Sequence, residues 1–498
     1  AVFNAEVWEA WHDASALFDL ARAGVEISWL GQSQGPPPQR DTRSARLVFA
    51  LNKAVDLFDY HDTSRESLRR SAQRVRRGIR SAYACHAHDS AQTIACMGHA
   101  HIDVAWLWPL AETVRKCGRT FSNVLACMDR YPEFVFCQSQ PQLYEFTRDR
   151  YPSIYRKIKQ RVRKGQWIPT GCMWVEADCN VSGGESLVRQ ILFGTRFFRK
   201  EFDHQVACLW LPDVFGYCAS MPQLLKRSGI DYFLTIKISW SQFNKFPHNT
   251  FYWEGLDGSR VLAHFPPSGD YNSRLTADQM LRAERNYQEK DRSPLQAIPF
   301  GFGDGGGGPT PAMLERRRRY HDLEGMPKLR PMPPERFFQR LENQSTDLRT
   351  YVGELYLELH RATLTTQSHI KRNNRKAECL LRDTELLWAS NMPARARYPQ
   401  QAINDAWKTV LLNQFHDIIP GSSITRVYED SDRQFRTLFQ DMEPLRDKGL
   451  QRHAKSVDTR GPGRAVLLFN TLGWQRADVA AVKIPGLQRR RAYKAVAP

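Results

Sequence analysis

Between residue 93 and about residue 345 the chain alternates short apolar runs with longer amphipathic stretches, and few folds accommodate such text. The runs are TIACM (93–97), FVFCQS (134–139), VACLWL (206–211), DYFLTI (231–236), RVLAHF (260–265) and AIPFGF (297–302). They are too short for helices and apolar throughout, so they read as buried strands with helices between them. This predicts an α/β domain over residues 91–350, built on a parallel sheet or barrel.

The flanks read differently. Residues 1–90 are helical and irregular, interrupted by the flexible stretch GQSQGPPPQR at 31–40. Residues 351–455 lack strand signals and carry long helical patterns, RKAECLLRDTELLWA and FRTLFQDMEPLRD, which predict a helical bundle. Residues 456–498 turn to β-like alternation in RAVLLFNTLGW and ADVAAVKIPG. They are expected to begin a β-rich region too short to close a sheet, as in a truncated chain.

Composition narrows the function classes. Hydrophobic residues at 42% and charged residues at 25% are globular proportions, and no run approaches the roughly 18 apolar residues of a spanning helix. A soluble protein without a membrane partner is expected. The ten cysteines form no C-x-x-C pair and the first residues lack a signal peptide's pattern. Reduced thiols and a cytoplasmic setting follow, and the sequons at Asn180 and Asn343 would matter only in a secreted chain. The net charge of +18 is carried mostly by arginine, in Arg316 to Arg319, Arg74, Arg76, Arg77 and Arg489 to Arg491. No nucleic-acid motif accompanies these runs, so they read as solvated helix faces and a basic tail. No nucleic-acid partner is expected, although acidic partners could be attracted by long-range steering.

The residues able to do chemistry gather at the ends of these elements. IACMGHAHIDVAWLWP (94–109) carries a buried strand out into His99, His101 and Asp103, which project to one side if the extended conformation continues. Imidazole nitrogen and carboxylate oxygen are donors that zinc accepts. Trp106 and Trp108 follow, and an indole can cover the apolar face of a pyranose. LWLPDVFGY (209–217) places Asp213 at a second strand end, and PFGFGDGGGGPT (299–310) places Asp304 at a third, before glycines that admit close backbone approach. NQFHDIIPGSS (413–423) places His416 and Asp417 where a helix gives way to a turn. Singly, each has a plain structural reading: a strand-end Asp caps a helix, a glycine run is a loop, and His-x-His-x-Asp is a hydrogen-bonded turn. Together they match a parallel barrel, which gathers its strand ends at one face.

Read in order, GHAHIDVAWLWP, WVEADCN, LWLPDVFGY, KISW with FPHNTFYWEGLDGSRVLAHFPP, FGFGDGGGGPT, GELYLELH and LLNQFHDIIPGSS resemble the successive signatures of glycoside hydrolase family 38 α-mannosidases. The resemblance covers about residues 93–425 and is greatest to the branch of cytosolic animal enzymes and bacterial relatives. It implies a seven-stranded β/α barrel, then a three-helix bundle, then β-rich domains. It implies that His101, Asp103, Asp213 and His416 hold Zn2+, or Co2+ in its place. It further implies that Asp213 attacks the anomeric carbon, that Asp304 protonates the leaving oxygen, that Trp106 and Phe215 line a mannose pocket, and that Asp417 holds sugar hydroxyls. The partner implied is a mannose-containing oligosaccharide; the oligomeric state is left open, a homo-oligomer included. His99 falls outside this ligand set and is expected to support the ligands from behind or to fill the first strand.

The implied chemistry is coherent. Retaining hydrolysis needs two carboxyl groups about 5–5.5 Å apart, one protonated and one ionised, so their surroundings must differ. A carboxylate bonded to a metal is held ionised by the cation. Three positions depart from the family's usual text: Ile236 stands where Gln is usual, and Ala362 and Leu364 where Gly and Tyr are common. They bear on substrate preference or rate more than on reaction class. Two other readings compete, a metal-dependent amidohydrolase, which shares His-x-His after a first barrel strand, and a non-catalytic mannose-binding protein.

Overall fold

The computed structural model describes residues 3–29, 42–390, 397–461 and 465–479. The stretch at 31–40 and Arg489 to Arg491 lie outside the described residues. The strands are β1 Thr93–His99, β2 Phe136–Gln138, β3 Trp167–Pro169, β4 Cys208–Trp210, β5 Tyr232–Leu234, β6 Thr250–Glu254, β7 Arg260–His264, β8 Leu295–Phe300, β9 Lys328–Pro331 and β10 Thr350–Val352. All six apolar runs are represented. β3 and β10 have three residues each and, unlike the equally short β2, β4 and β5, do not lie within a longer apolar run.

Hydrogen bonding divides the strands into two five-stranded sheets. One runs β3-β2-β1-β8, with β9 also paired to β1; the other runs β10-β6-β7-β5-β4. Every pairing is parallel except the β6–β7 hairpin. The fold is therefore α/β, but among the described residues the strand ladder does not close into the expected seven-stranded barrel. Isolated bridges, Cys179 to Tyr217 and Ser273 to Phe300, span the gaps between the sheets. The short strands end early, and their continuations leave as loops that carry the polar residues of the site.

The inner strands β1, β2, β4, β5 and β8 are buried along their length, which is why they read as continuous apolar runs, whereas the edge strand β10 is exposed. Along β1, Ile94 and Cys96 join the core under the helices, while Ala95 and Met97 join a smaller core with Trp210, Leu234, Leu262 and Ala297. That smaller core draws on both sheets, so they face each other across it. Beyond the sheets, the helices Ser368–Ser390, Gln400–Asn413 and Thr425–Lys455 pack pairwise on one another. Residues 465–479 form no strand, contrary to the β-like text, and Leu468, Trp474 and Val479 are exposed. An extended segment without a partner leaves its backbone groups unpaired, and alternation alone cannot make it a strand.

The arginine run also departs from expectation. Arg317 and Arg319 are buried, and they hold structure together instead of facing water. Arg319 donates to Glu315, to Asp13 at 2.7 Å and to Glu9 at 2.8 Å, the last two on the N-terminal helix Ala5–Trp29. Glu315 in turn accepts from Tyr131 at 2.7 Å and from Trp8 at 3.3 Å. The run thus clamps the N-terminal helices to the sheet domain. Removing one partner of a buried ion pair strands the other charge. Arg319→Ala is expected to lower unfolding free energy by about 3 kcal/mol in urea titration. A change within about 0.5 kcal/mol would show that the clamp carries no stability.

Candidate active site

The polar loops leave the sheets at the carboxyl ends of the strands. β1 delivers His101 and Asp103, β3 delivers Glu176, β4 delivers Asp213, β5 delivers Lys237, β7 delivers Tyr271 and β8 delivers Asp304. His416 and Asp417 arrive from the other direction, just past the helix Gln400–Asn413. Their segment is fixed to the chain beyond β3: His416 N donates to the Glu176 carbonyl at 3.2 Å and Asp178 N to the Gln414 carbonyl at 2.9 Å.

Local bonding sets each loop. The Tyr217 hydroxyl lies within hydrogen-bond distance of the Leu211 and Val214 carbonyls, 2.9 and 3.1 Å, and so holds the Asp213 turn. The Gln140 amide donates to the Ile102 carbonyl at 2.9 Å and accepts from Glu176 N at 3.2 Å, which joins two of the loops. Asp304 adopts a left-handed backbone, φ 53°. Its loop begins at Gly301, φ 131°, where a Cβ would stand 2.3 Å from the His99 carbonyl, so only glycine fits.

His101, Asp103, Asp213 and His416 converge in a buried group, and each offers a donor atom within 4.8 Å of the others. His101 Nε2 is 3.0 Å from Asp103 Oδ1 and its Nδ1 is 3.0 Å from Glu176 Oε2. His416 Nε2 stands 3.6 Å from Asp103 and 3.8 Å from Asp213. Its Nδ1 is 2.7 Å from the Glu176 carbonyl, an acceptor only, so Nδ1 carries the proton. That leaves the buried Nε2 facing the carboxylates with no hydrogen-bond partner. An orphaned imidazole nitrogen facing two carboxylates suits a divalent cation, and a backbone carbonyl behind it is the usual support for a metal-bound imidazole.

Electrostatics points the same way. Burial disfavours the His101 imidazolium, yet Glu176 and Asp103 override it and hold its pKa well above the ordinary value. His416 is likewise pushed up to about 9 against burial, by Asp103, Asp417 and Asp213. The cluster thus draws in positive charge, with protons as the default cations. Asp417 goes the other way: burial, opposed by His416 and reinforced by Asp103, lifts it to about 7. Asp304 is also raised, by burial foremost and by the charges of Asp103 and Asp213, against the pull of His101 and a 2.9 Å hydrogen bond from Tyr271.

Asp103, Asp213, Asp304 and Asp417 line one cavity of about 440 Å3, together with Trp106 and Phe215. The eight residues that the family resemblance implicates therefore meet at one place, six on the cavity wall and the two histidines beneath it. His99 does not join them. It is buried behind, accepting from Trp210 Nε1 at 3.1 Å and so bracing β1 against β4. Ile236 is buried beside Lys237, Ala362 lines the cavity, and Leu364 lies outside it on an adjoining one. Sequence reasoning missed four residues. Lys237 places its ammonium 2.6 Å from Asp213 and over the rings of Trp240 and Phe215, at 4.1 and 5.1 Å. Glu176, Tyr271 and His360 complete the surroundings; Glu176, Lys237 and His360 sit within quoted motifs, WVEADCN, KISW and GELYLELH, but nothing in the text marks their partners.

Comparison with known proteins agrees with this arrangement. Residues 91–354 match the glycosyl hydrolases family 38 N-terminal domain, and residues 358–452 match the alpha mannosidase middle domain. The chain is 44% identical over 407 residues to human alpha-mannosidase 2C1, covering 80% of this chain and 38% of that protein. It is 37% identical over 437 residues to the alpha-mannosidase of Saccharomyces cerevisiae, covering 84% of this chain and 40% of that protein. The chain thus spans well under half the length of these relatives. An alpha-mannosidase structure from Enterococcus faecalis V583 superposes with a TM-score of 0.66 at 20% identity, over 74% of this chain and 43% of that one, a likeness of fold. With the N-terminal family profile covering more than half of its residues and the middle-domain profile following in order, this chain belongs to glycosyl hydrolase family 38.

Proposed function

We propose that the chain carries the catalytic centre of a zinc-dependent, retaining exo-α-mannosidase acting on terminal α-mannosides of oligosaccharides. The observation that carries this reading is the position of Asp213, which belongs at once to the buried donor group and to the wall of the cavity that Asp304 also lines. His101, Asp103, Asp213 and His416 would hold the metal, zinc or cobalt. When bound, the cation would supply fixed positive charge that keeps these carboxylates ionised and orients sugar hydroxyls.

The chain's own groups divide the work. Asp213 Oδ1 receives the Lys237 ammonium at 2.6 Å, which fixes the carboxylate's orientation for attack on the anomeric carbon. The resulting bond is a glycosyl ester, and its hydrolysis regenerates Asp213 with the anomeric configuration retained. Asp304, whose burial favours the neutral acid, gives its proton to the departing oxygen and then takes one from the attacking water. Trp106 and Phe215 would flank the sugar, and Asp417, held by Ser422, would bind its hydroxyls. In this reading residues 91–350 are the catalytic unit, arranged as a barrel in the wider sense, with 1–90 as its helical clamp. Residues 351–455 are a three-helix bundle that contributes His416. A cytoplasmic setting fits the ten free thiols, and no described helix is long and apolar enough to cross a membrane. The amidohydrolase reading loses its support, because the donor group contains two imidazoles and the family is a different one.

Two measurements test these roles. His416→Ala should reduce bound zinc from about one per chain to less than about a tenth by elemental analysis, since a site of four ligands loses one. Stoichiometric zinc in the variant would remove His416 from the ligand set. Asp304→Ala should slow an unactivated mannobioside by about 10²–10⁴-fold while largely sparing 2,4-dinitrophenyl α-mannoside. The alkaline limb of the mannobioside pH profile should vanish with it, because the limb reports loss of the acid's proton, and azide should restore turnover of the aryl substrate. Equal losses on both substrates would move the acid role elsewhere.

A further inference from the structure

Two arginine runs that the active site leaves unused meet in one place. Arg76, Arg77 and Arg80 on the helix Arg65–Tyr83, with Arg318 and Arg319 on the helix Pro311–Arg319, line a cavity of about 650 Å3. We propose that this cavity binds a phosphorylated small molecule, with Arg77 and Arg80 as the principal contacts. The proposal is independent of the glycosidase reading, since no residue of this cavity belongs to the active-site pocket.

Helical spacing builds one wall. Gln73, Arg76, Arg77, Arg80 and Tyr83 recur at intervals of three and four, so they share a face of their helix. Ala72, Val75 and Ile79 are buried and pack the helix in place, which leaves the arginine face to the cavity. The Tyr83 hydroxyl donates to the Asp13 carbonyl at 2.7 Å and fixes this helix to the N-terminal one. An occupant would therefore touch the N-terminal helices and also the helix Pro311–Arg319, which follows the loop carrying Asp304.

The charges specify the chemistry. Three of the arginines already have carboxylates: Arg76 and Arg319 each stand 2.7 Å from Asp13, and Arg318 stands 2.6 Å from Glu133. Asp322, the other acid in the wall, lies 3.2 Å from His86. Arg77 and Arg80 have neither an ion pair nor a side-chain hydrogen bond among the described residues, so the field left over is positive. A helix dipole favours a cation in the last turn, where Arg80 sits, but gives no reason for Arg77 beside Arg76. Like charges four apart on a helix, as Arg76 and Arg80 are, repel each other until an anion comes between them. Guanidinium forks match phosphate oxygens by paired, parallel N–H bonds. Arg77 and Arg80, three residues apart, are neighbours on the helix surface and can share one phosphate or diphosphate, whereas an extended acidic peptide spreads its charges along the backbone. The volume leaves room beside the phosphate for a body of sugar or nucleoside size.

Isothermal titration of the 498-residue chain with inorganic pyrophosphate, in about 0.15 M KCl to screen diffuse surface charge, tests this. About one site per chain is expected, with Kd below about 1 mM. Arg77→Ala and Arg80→Ala should each weaken binding about tenfold, the worth of one hydrogen bond between charged groups. Both side chains are exposed and hold nothing in the fold, so the variants should fold as wild type. Arg74→Ala removes the same charge from the same helix outside the cavity and should leave Kd within about twofold. Absence of saturable binding would overturn the proposal, as would equal losses in Arg74→Ala and the two cavity variants, which would mean that net charge alone attracts the anion. Displacement of pyrophosphate by poly-glutamate at a lower concentration of anionic groups would overturn it too, and would assign the arginines to an acidic protein surface.

Discussion

Buried negative charge is the constraint around which this structure is organised. Asp103, Asp213, Asp417 and Glu176 lie together in or beneath one cavity, with Asp304 on its wall, and the nearby cationic groups are Lys237 and two imidazoles. Taking ionised carboxylates out of water costs several kcal/mol each unless opposite charge accompanies them. The raised histidine pKa values express that demand, and the orphaned nitrogen of His416 marks where a cation can satisfy it. Asp213 belongs to the donor group and lies against the Lys237 ammonium, whereas Asp304 is half-buried beside glycines and a tyrosine, and burial raises its pKa.

Assembling such a group needs distant parts of the chain to be held in register. Three of the four donors leave strand ends, but His416 comes from the helical region and must be locked against the loop after β3. A buried polar network does this. The Gln190 amide, on the helix Gly184–Phe202, donates to the Leu411 carbonyl at 2.9 Å, and the Gln414 amide reaches Asn374 at 2.9 Å and Glu378 at 3.1 Å. Low local dielectric strengthens each of these bonds and penalises any that fails, which favours a single docked arrangement. The Arg319 clamp serves the same end on the opposite flank, since it ties the helix carrying Glu315 to the N-terminal helices.

How much of this could be read from sequence depended on how local the cause was. Strands buried on both faces declare themselves as apolar runs, and the residues that converge at the cavity sit in the text just past them, so the meeting of His101, Asp103, Asp213 and Asp304 with His416 was legible. Residues whose role lies in a long-range partner were not. Lys237 is one lysine among many until it lies against Asp213, and Glu176 is silent until His101 stands 3.0 Å away. Sheet closure failed for a related reason: three-residue strands such as β4 and β5 carry an apolar signature but no information on whether their ladders meet. The arginine run misled because periodicity assigns it to solvent, whereas Glu9, Asp13 and Glu133 arrive from elsewhere in the chain.

The central claim is that Asp213, within the donor group, is the atom-bearing nucleophile of a retaining reaction. Trapping with 5-fluoro-α-mannosyl fluoride, followed by peptide mass spectrometry, tests it directly, because the ring fluorine slows both formation and breakdown of the glycosyl ester while the fluoride leaving group speeds formation alone. The account predicts one fluoromannosyl group per chain, on Asp213 in LWLPDVFGY, with α-mannose as the first product seen by NMR during turnover. A label on another carboxylate would contradict it, as would an unlabelled but active chain releasing β-mannose first.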